Sequence, residues 1–147
     1  MLPGFYYGTK TITMPRFDPG VLISTFKENK VSFFQAVPLL FKFIASIDLI
    51  TEEDLKSIHS FVSGGYPLSR DIFHAMKRKA PHAIFQEGYG MTETLSTHGV
   101  PYTKENIGYC GQLLQDVKAK VVDVETREPL PPNTPGELII HTPAEIL

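Results

Sequence analysis

Short apolar segments alternate with amphipathic segments of helical length along the first part of the chain, and this alternation limits its fold more than any other feature. The segments of strand-like composition cover residues 9–14, 31–37, 58–62 and 83–86. Helices are predicted to begin after Asp18, Pro38, Thr51 and Ser69. Asp, Thr and Ser are preferred helix caps, and Pro suits the first helical turn. Strands that alternate with helices of this length indicate βαβ units and a parallel sheet.

The pattern changes after about Leu95. Residues 117–124 alternate as a half-exposed strand, and residues 136–141 read as a second strand after a proline-rich loop. Consecutive strands of this kind favour antiparallel pairing. We therefore predict an α/β fold with part of a parallel sheet and its flanking helices in residues 1–95. The start of a β-rich, barrel-like subdomain is predicted for residues 96–147.

Composition excludes several classes of function. The 147 residues give room for one domain. A net charge of −2 excludes a broad basic surface for nucleic acid, and a single cysteine, Cys110, excludes an internal disulfide framework. No stretch has the roughly 18 uninterrupted apolar residues that suggest a membrane-spanning helix. We expect an intracellular protein, cytoplasmic or peroxisomal, without a nucleic-acid partner or a membrane span.

Two glycine-containing segments follow predicted strands. They cover Ser63 to Ser69 and Glu87 to Thr94. In open α/β sheets, ligands collect outside the carboxyl ends of the strands, and glycine lets the backbone approach a flat ligand closely. Tyr89 offers a ring for stacking, and Glu93 offers an oxygen ligand suited to Mg²⁺. These residues favour a nucleotide pocket, with glycines that only make tight turns as the alternative.

Four segments of the chain resemble the adenylate-forming enzymes, a superfamily that includes acyl-CoA synthetases, coumarate–CoA ligases and beetle luciferases. In chain order the segments are MPRFDPGVLISTF, VSGGYPLSRDI, FQEGYGMTET and AKVVDVETREPLPPNTPGELII. Their order and spacing agree with the family along nearly the whole chain. The form GYGMTET resembles acyl-CoA synthetases and luciferases more than the adenylation domains of peptide synthetases.

The resemblance implies a reaction in two steps. A small-molecule carboxylic acid attacks the α-phosphate of ATP, which gives an acyl-adenylate and pyrophosphate. A thiol, usually that of coenzyme A, then takes the acyl group. Mg²⁺ and the nucleotide, as ATP or AMP, are the implied cofactors. Whether the chain belongs with the CoA ligases or with luciferase-like oxygenases stays open.

The resemblance also implies roles for particular residues. Those that would border the adenine are Gly64, Gly65 and Tyr66 on one wall and Glu87, Gly88, Tyr89 and Gly90 on the other. Thr92 would hydrogen-bond a phosphate oxygen and Glu93 would help hold Mg²⁺, so these two are the predicted catalytic residues. Tyr66 is larger than the residue that relatives usually carry there, and it is expected to narrow the pocket.

Other parts of the family's active site have no counterpart in these residues. They are a Ser/Thr/Gly-rich phosphate loop, a Thr-Gly-Asp segment and a mobile lid with a catalytic lysine. The chain is therefore expected to correspond to the central part of a family member. Two alternatives remain: a non-catalytic protein that binds adenylates or acyl ligands, and a structural remnant without a ligand.

The isolated chain is expected to show no measurable adenylation, because positioning and electrostatic stabilisation supply most of the catalysis in such reactions. The measurement is adenylate formation against a Thr92→Ala, Glu93→Ala control, and formation above that control would contradict the expectation. Uncovered strand edges and apolar surface should also make the chain self-associate. A monodisperse monomer on sizing would contradict this second expectation.

Overall fold

The computed structural model describes residues 6–101 and 104–143. Its helices are α1 (Pro19–Glu28), α2 (Pro38–Ser46), α3 (Glu52–Leu55) and α4 (Arg70–Lys79). Its strands are β1 (Phe33–Ala36), β2 (Ser60–Ser63), β3 (Ile84–Glu87), β4 (Tyr89–Met91), β5 (Leu95–Gly99), β6 (Gln112–Leu113), β7 (Lys118–Val122) and β8 (Glu137–His141). Among the described residues, no helix is both long and apolar enough to cross a membrane.

The predicted caps start the helices. The Asp18 carboxylate accepts a hydrogen bond from the Val21 amide at 2.9 Å, and the Ser69 hydroxyl accepts one from the Ile72 amide at 3.3 Å. Thr51 and Asp54 form a capping box, in which each side chain accepts a hydrogen bond from the other residue's backbone amide. Each cap satisfies an amide that the helix itself leaves unpaired.

The strands β1, β2 and β3 form a parallel sheet in that order. The register places Phe34 beside Phe61 and Phe61 beside Phe85. The rings of Phe61 and Phe85 stack with centroids 4.7 Å apart, and Phe41 from α2 contacts both rings. Helices α1, α2 and α4 all contribute side chains to this core. The predicted parallel sheet with flanking helices is confirmed.

The prediction of a strand over residues 9–14 is wrong. These residues form no strand, and five of the six are exposed. Their β-branched composition is typical of strands, but β-propensity largely reflects how a side chain packs on neighbouring strands. No strand in the described part of the chain pairs with them.

Antiparallel pairing begins at Tyr89, several residues before Leu95. Strands β4, β5 and β6 form one antiparallel sheet, and β7 pairs with β8 in another. Gly90 is required in the β4–β5 hairpin because a Cβ there would collide with the Leu95 carbonyl. The predicted antiparallel structure of the later residues is confirmed, while the subdomain boundary near residue 95 stays a prediction.

Replacement of Asp54 by alanine should lower the free energy of unfolding by about 1 kcal/mol at neutral pH, the usual cost of losing a helix cap. The Thr51 amide, the Thr51 hydroxyl and the Lys27 ammonium hold the pKa of Asp54 below its ordinary value. The folded chain therefore binds this proton less readily than the unfolded chain. The stabilisation is fully present above the unfolded pKa, about 3.9, and is lost as the pH falls through the folded pKa.

Urea unfolding of the original chain and of the Asp54→Ala variant between about pH 2 and pH 7 measures this dependence. Asp48→Ala is the matched control, since Asp48 is exposed and lies just before the same helix. A deficit for Asp54→Ala that stays constant over the whole pH range would contradict the assignment.

Candidate functional site

A cavity of about 570 Å³ lies at the carboxyl-terminal edge of the parallel sheet. Residues 35–37 line it at the end of β1, and residues 62–65 line it at the end of β2. Residues 88–92, with Leu95 and Ser96, form the remaining wall. The cavity therefore occupies the place where open parallel sheets collect ligands.

Backbone hydrogen bonds hold the two glycine segments beside each other and beside β1. The Gly64 amide donates to the Ala36 carbonyl at 3.3 Å, and the Gly88 amide donates to the Ser63 carbonyl at 3.1 Å. Gly65 has a φ of +81°, in the left-handed region where glycine is favoured. A Cβ on Gly64 would lie 3.9 Å from the Gly88 carbonyl oxygen. Bare backbone therefore faces the gap between the two segments.

The cavity collects most of the predicted binding residues. Those that line it are Gly64, Gly65, Gly88, Tyr89, Gly90 and Thr92. Tyr66, Glu87 and Glu93 do not line it. The Tyr66 side chain is 78% exposed, so in this structure it does not narrow the cavity as expected from its size. Glu93 is exposed on the β4–β5 turn, next to Thr92.

Glu87 is buried and contacts protein backbone. One carboxylate oxygen accepts a hydrogen bond from the Leu68 amide at 2.8 Å. The other accepts one from the Gly108 amide at 2.6 Å. The side chain thus connects the end of β3 with the first glycine segment and with the loop before β6.

Asn106 is a buried residue that lies outside the recognised sequence motifs. Its side-chain oxygen accepts from the Glu87 amide at 3.0 Å, and its side-chain nitrogen donates to the Glu87 carbonyl at 2.9 Å and the Tyr109 carbonyl at 2.6 Å. It thereby continues the hydrogen bonding of β3 on the side where no strand of the described residues pairs with it. No short motif could have signalled this role, because Asn106 lies 19 residues from Glu87.

His98 lies opposite Tyr89 across the β4–β5 pair. The two rings meet edge to face with centroids 5.5 Å apart, and His98 Nδ1 lies 3.0 Å from the Thr97 hydroxyl. Burial lowers the pKa of His98, which favours the neutral imidazole at neutral pH. An uncharged ring in this place supports the Tyr89 ring at the cavity without adding a positive charge.

Ser63 ends β2 and lines the cavity, and its side chain is completely buried. Its hydroxyl has no hydrogen-bond partner among the residues that the structure describes. A buried hydroxyl without a partner costs free energy, and such groups are rare in folded proteins. In the sequence, only its position before two glycines distinguishes Ser63.

Metal ligands are sparse around the cavity. The described residues contain no cluster of three or more His, Cys, Asp or Glu side chains able to hold a metal ion. Glu93 provides a single exposed carboxylate near Thr92. This fits the usual mode of Mg²⁺ binding to nucleotides, in which one or two carboxylates join the substrate's phosphates and water.

Replacement of Ser63 by alanine should leave the free energy of unfolding unchanged or raise it by up to about 1 kcal/mol, because it removes an unpaired buried hydroxyl. Ser60→Ala is the matched control on the same strand. The Ser60 hydroxyl donates to the Gln86 side chain at 3.4 Å, so its loss should cost about 0.5 kcal/mol or more. Denaturant unfolding of both variants makes the comparison. Greater destabilisation by Ser63→Ala than by Ser60→Ala would show that the Ser63 hydroxyl is paired.

Comparison with known proteins finds similarity to a luciferase, a CoA ligase and a protein whose structure was solved with ATP bound. Luciferin 4-monooxygenase from Photinus pyralis is 33% identical over 137 residues, covering 92% of this chain and 25% of that protein. 4-Coumarate–CoA ligase 3 from Oryza sativa subsp. japonica is 32% identical over 148 residues, covering 96% of this chain and 26% of the ligase. The crystal structure of ATP-bound MatB from Rhodopseudomonas palustris matches with a TM-score of 0.84 at 28% identity, over 97% of this chain and 28% of MatB.

The chain spans about a quarter of the length of these relatives. The family model described as "AMP-binding enzyme" matches residues 1–146. That match covers both glycine segments and the strands that carry them. This chain therefore belongs to the family of AMP-binding, adenylate-forming enzymes.

Proposed function

We propose that this chain forms one wall of the adenylate pocket of an acid–thiol ligase, which activates a carboxylic acid with ATP and passes the acyl group to coenzyme A. The observation that carries the proposal is the cavity between the glycine segments at the ends of β2 and β3. Similarity to CoA ligases supports the reaction class. The whole reaction requires more of the protein than these residues supply.

The glycine segments suit the flat part of the nucleotide. Gly64 and Gly88 present backbone without side chains on either side of the gap. Tyr89 is 37% exposed and lines the same cavity, so its ring is available to stack on the adenine. We assign the adenine to this gap, because a planar base gains most from close backbone contact and an aromatic face.

The phosphate side of the pocket begins at Thr92. Thr92 is exposed and lines the cavity, and its hydroxyl can donate a hydrogen bond to a phosphate oxygen there. Glu93 is the next residue and would hold Mg²⁺ together with the phosphates. When bound, Mg²⁺ neutralises charge that develops on the phosphoryl oxygens. A hydrogen bond aimed at the same oxygens adds to this stabilisation.

The acyl group fits the apolar part of the lining. Val37, Met91 and Leu95 line the cavity together, and all three are partly exposed. They come from the end of β1 and from the β4–β5 hairpin. An acid with an apolar body therefore has a place next to the adenine, with its carboxylate directed toward Thr92 and the phosphate.

Replacement of Gly64 by leucine should strongly weaken AMP binding, because the added side chain fills the gap. The fold should tolerate the change, because a Cβ at Gly64 makes only an ordinary contact with the Gly88 carbonyl. Thr134→Leu is the matched control, since it adds the same side chain at an exposed loop position outside the cavity. Isothermal titration with AMP measures affinity, and circular dichroism checks the fold of each variant.

The expected result is AMP binding by the chain and by Thr134→Leu, with at least about a tenfold loss for Gly64→Leu, equivalent to about 1.4 kcal/mol. Unchanged affinity in a folded Gly64→Leu variant would place the nucleotide elsewhere. Absence of AMP binding by the original chain at millimolar concentration would favour a structural remnant. Binding without turnover, in the complete protein that carries this segment, would favour the non-catalytic alternative.

A further inference from the structure

We propose that Glu87 and Asn106 are positioning residues that hold the two glycine segments at the separation needed for the nucleotide. The inference rests on the proposed function, since it concerns how that pocket keeps its shape. It also differs from the role that the family resemblance implies for Glu87, which is direct contact with the adenine. In the structure, Glu87 faces backbone amides and does not line the cavity.

The Glu87 carboxylate connects two loops. Among the described residues, no backbone hydrogen bond joins these two loops directly. One oxygen accepts from Leu68, the residue before the cap of α4 and the end of the first glycine segment. The other accepts from Gly108, in the loop before β6. Hydrogen bonds to a charged acceptor are shorter and stronger than neutral ones. Because both oxygens accept hydrogen bonds from these amides, the carboxylate holds the two loops and does not bind the adenine.

Asn106 fixes the backbone from which Glu87 projects. Its side chain pairs with both the amide and the carbonyl of Glu87, in the way that a neighbouring strand would. Glu87 is 8% exposed and Asn106 is 2% exposed, so water does not compete with these bonds. Removal of either side chain would leave buried amides or carbonyls unpaired.

These bonds act on both walls of the cavity. The first glycine segment is held at Leu68, and the second begins at Glu87 itself and continues through Gly88 and Tyr89. Loss of the carboxylate would free the first segment at Leu68, while the backbone bond from Gly88 to Ser63 still holds its other end. A ligand that binds only when the two segments keep the spacing seen in this structure then binds more weakly. Its apparent affinity falls in proportion to the fraction of molecules that keep that spacing.

Glu87→Gln is the variant that tests the role. Gln has the same length, but only one of its two terminal atoms is an acceptor. Its NH₂ group, a donor, would face the second backbone N–H, which is also a donor. Glu105→Gln is the matched control. The Glu105 carboxylate also accepts from a β3 amide, that of Phe85 at 3.0 Å, and it pairs with Lys77 at 2.8 Å. Glu105 lies at the same edge of β3 but touches neither glycine segment.

The measurements are AMP affinity by titration, stability by urea unfolding, and the amide exchange and chemical shifts of Leu68 and Gly108 by NMR. For Glu87→Gln we expect faster exchange at one or both of these amides and an affinity for AMP about tenfold weaker. For Glu105→Gln we expect a comparable or larger loss of stability with AMP affinity unchanged. The difference between the variants separates positioning from a general loss of stability.

Equal AMP affinity in the original chain and in a folded Glu87→Gln variant would overturn the inference and leave the proposed function intact. An equal loss of affinity in Glu105→Gln would overturn it as well, since the effect would then follow stability alone. Absence of AMP binding by the original chain would overturn the proposed function and this inference together. If Glu87→Gln does not fold, rapid exchange of the Leu68 and Gly108 amides in the AMP complex of the original chain would overturn the inference, and protection that increases on AMP binding would support it.

Discussion

The in-register pairing of β2 with β3 determines where every part of the candidate site lies. Ser63 lies beside Glu87 in that register, so both strands end at the same edge and both glycine segments leave the sheet together. The stacked rings of Phe61 and Phe85, two residues earlier on each strand, fix this register in the core. A shift of β3 by one residue would turn the Phe85 ring to the other face of the sheet, away from Phe61, which makes the alignment strongly specified. The cavity is thus a consequence of how the core packs.

The edge of the sheet is also where backbone hydrogen bonding has to end. Within the described ranges no strand pairs with the outer side of β3; there Asn106 makes the hydrogen bonds that a neighbouring strand would make, and Glu87 accepts from the amides of two loops. Polar side chains that replace a strand in this way are buried, so the loops gain a defined position without a regular ladder. The Ser63 hydroxyl is the exception among the described residues, because it is buried without a partner. The polar groups at the end of β3 therefore have hydrogen-bond partners, while the Ser63 hydroxyl at the cavity has none among the described residues.

Local signals in the sequence were sufficient for much of the fold. Asp18, Thr51 and Ser69 cap helices as predicted, since capping depends on residues only two or three positions apart. The strand predicted at residues 9–14 failed because strands require a partner, and composition does not show whether one is present. The antiparallel segments were predicted from alternation, but the start of that pairing at Tyr89 depends on the hairpin at Gly90.

The site was predictable where it follows from motif and strand position, and unpredictable where it depends on distant contacts. Gly64 and Gly88 line the cavity because they directly follow β2 and β3, and Tyr89 and Thr92 line it a few residues further along the same segment. The backbone contacts of Glu87 could not be predicted, because its partners come from separate loops before and after it in the chain. Asn106 belongs to the same set of long-range contacts and to none of the recognised segments.

A titration of the chain with AMP, followed residue by residue in its amide NMR spectrum, tests the location of the site. We expect the shifts to concentrate on residues 62–65 and 88–92, at the ends of β2 and β3, while β7 and β8 stay unchanged. Such a result would place the nucleotide in the cavity that the parallel sheet creates. Shifts confined to other parts of the chain, or none at saturating AMP, would mean that this edge of the sheet is not an adenylate site.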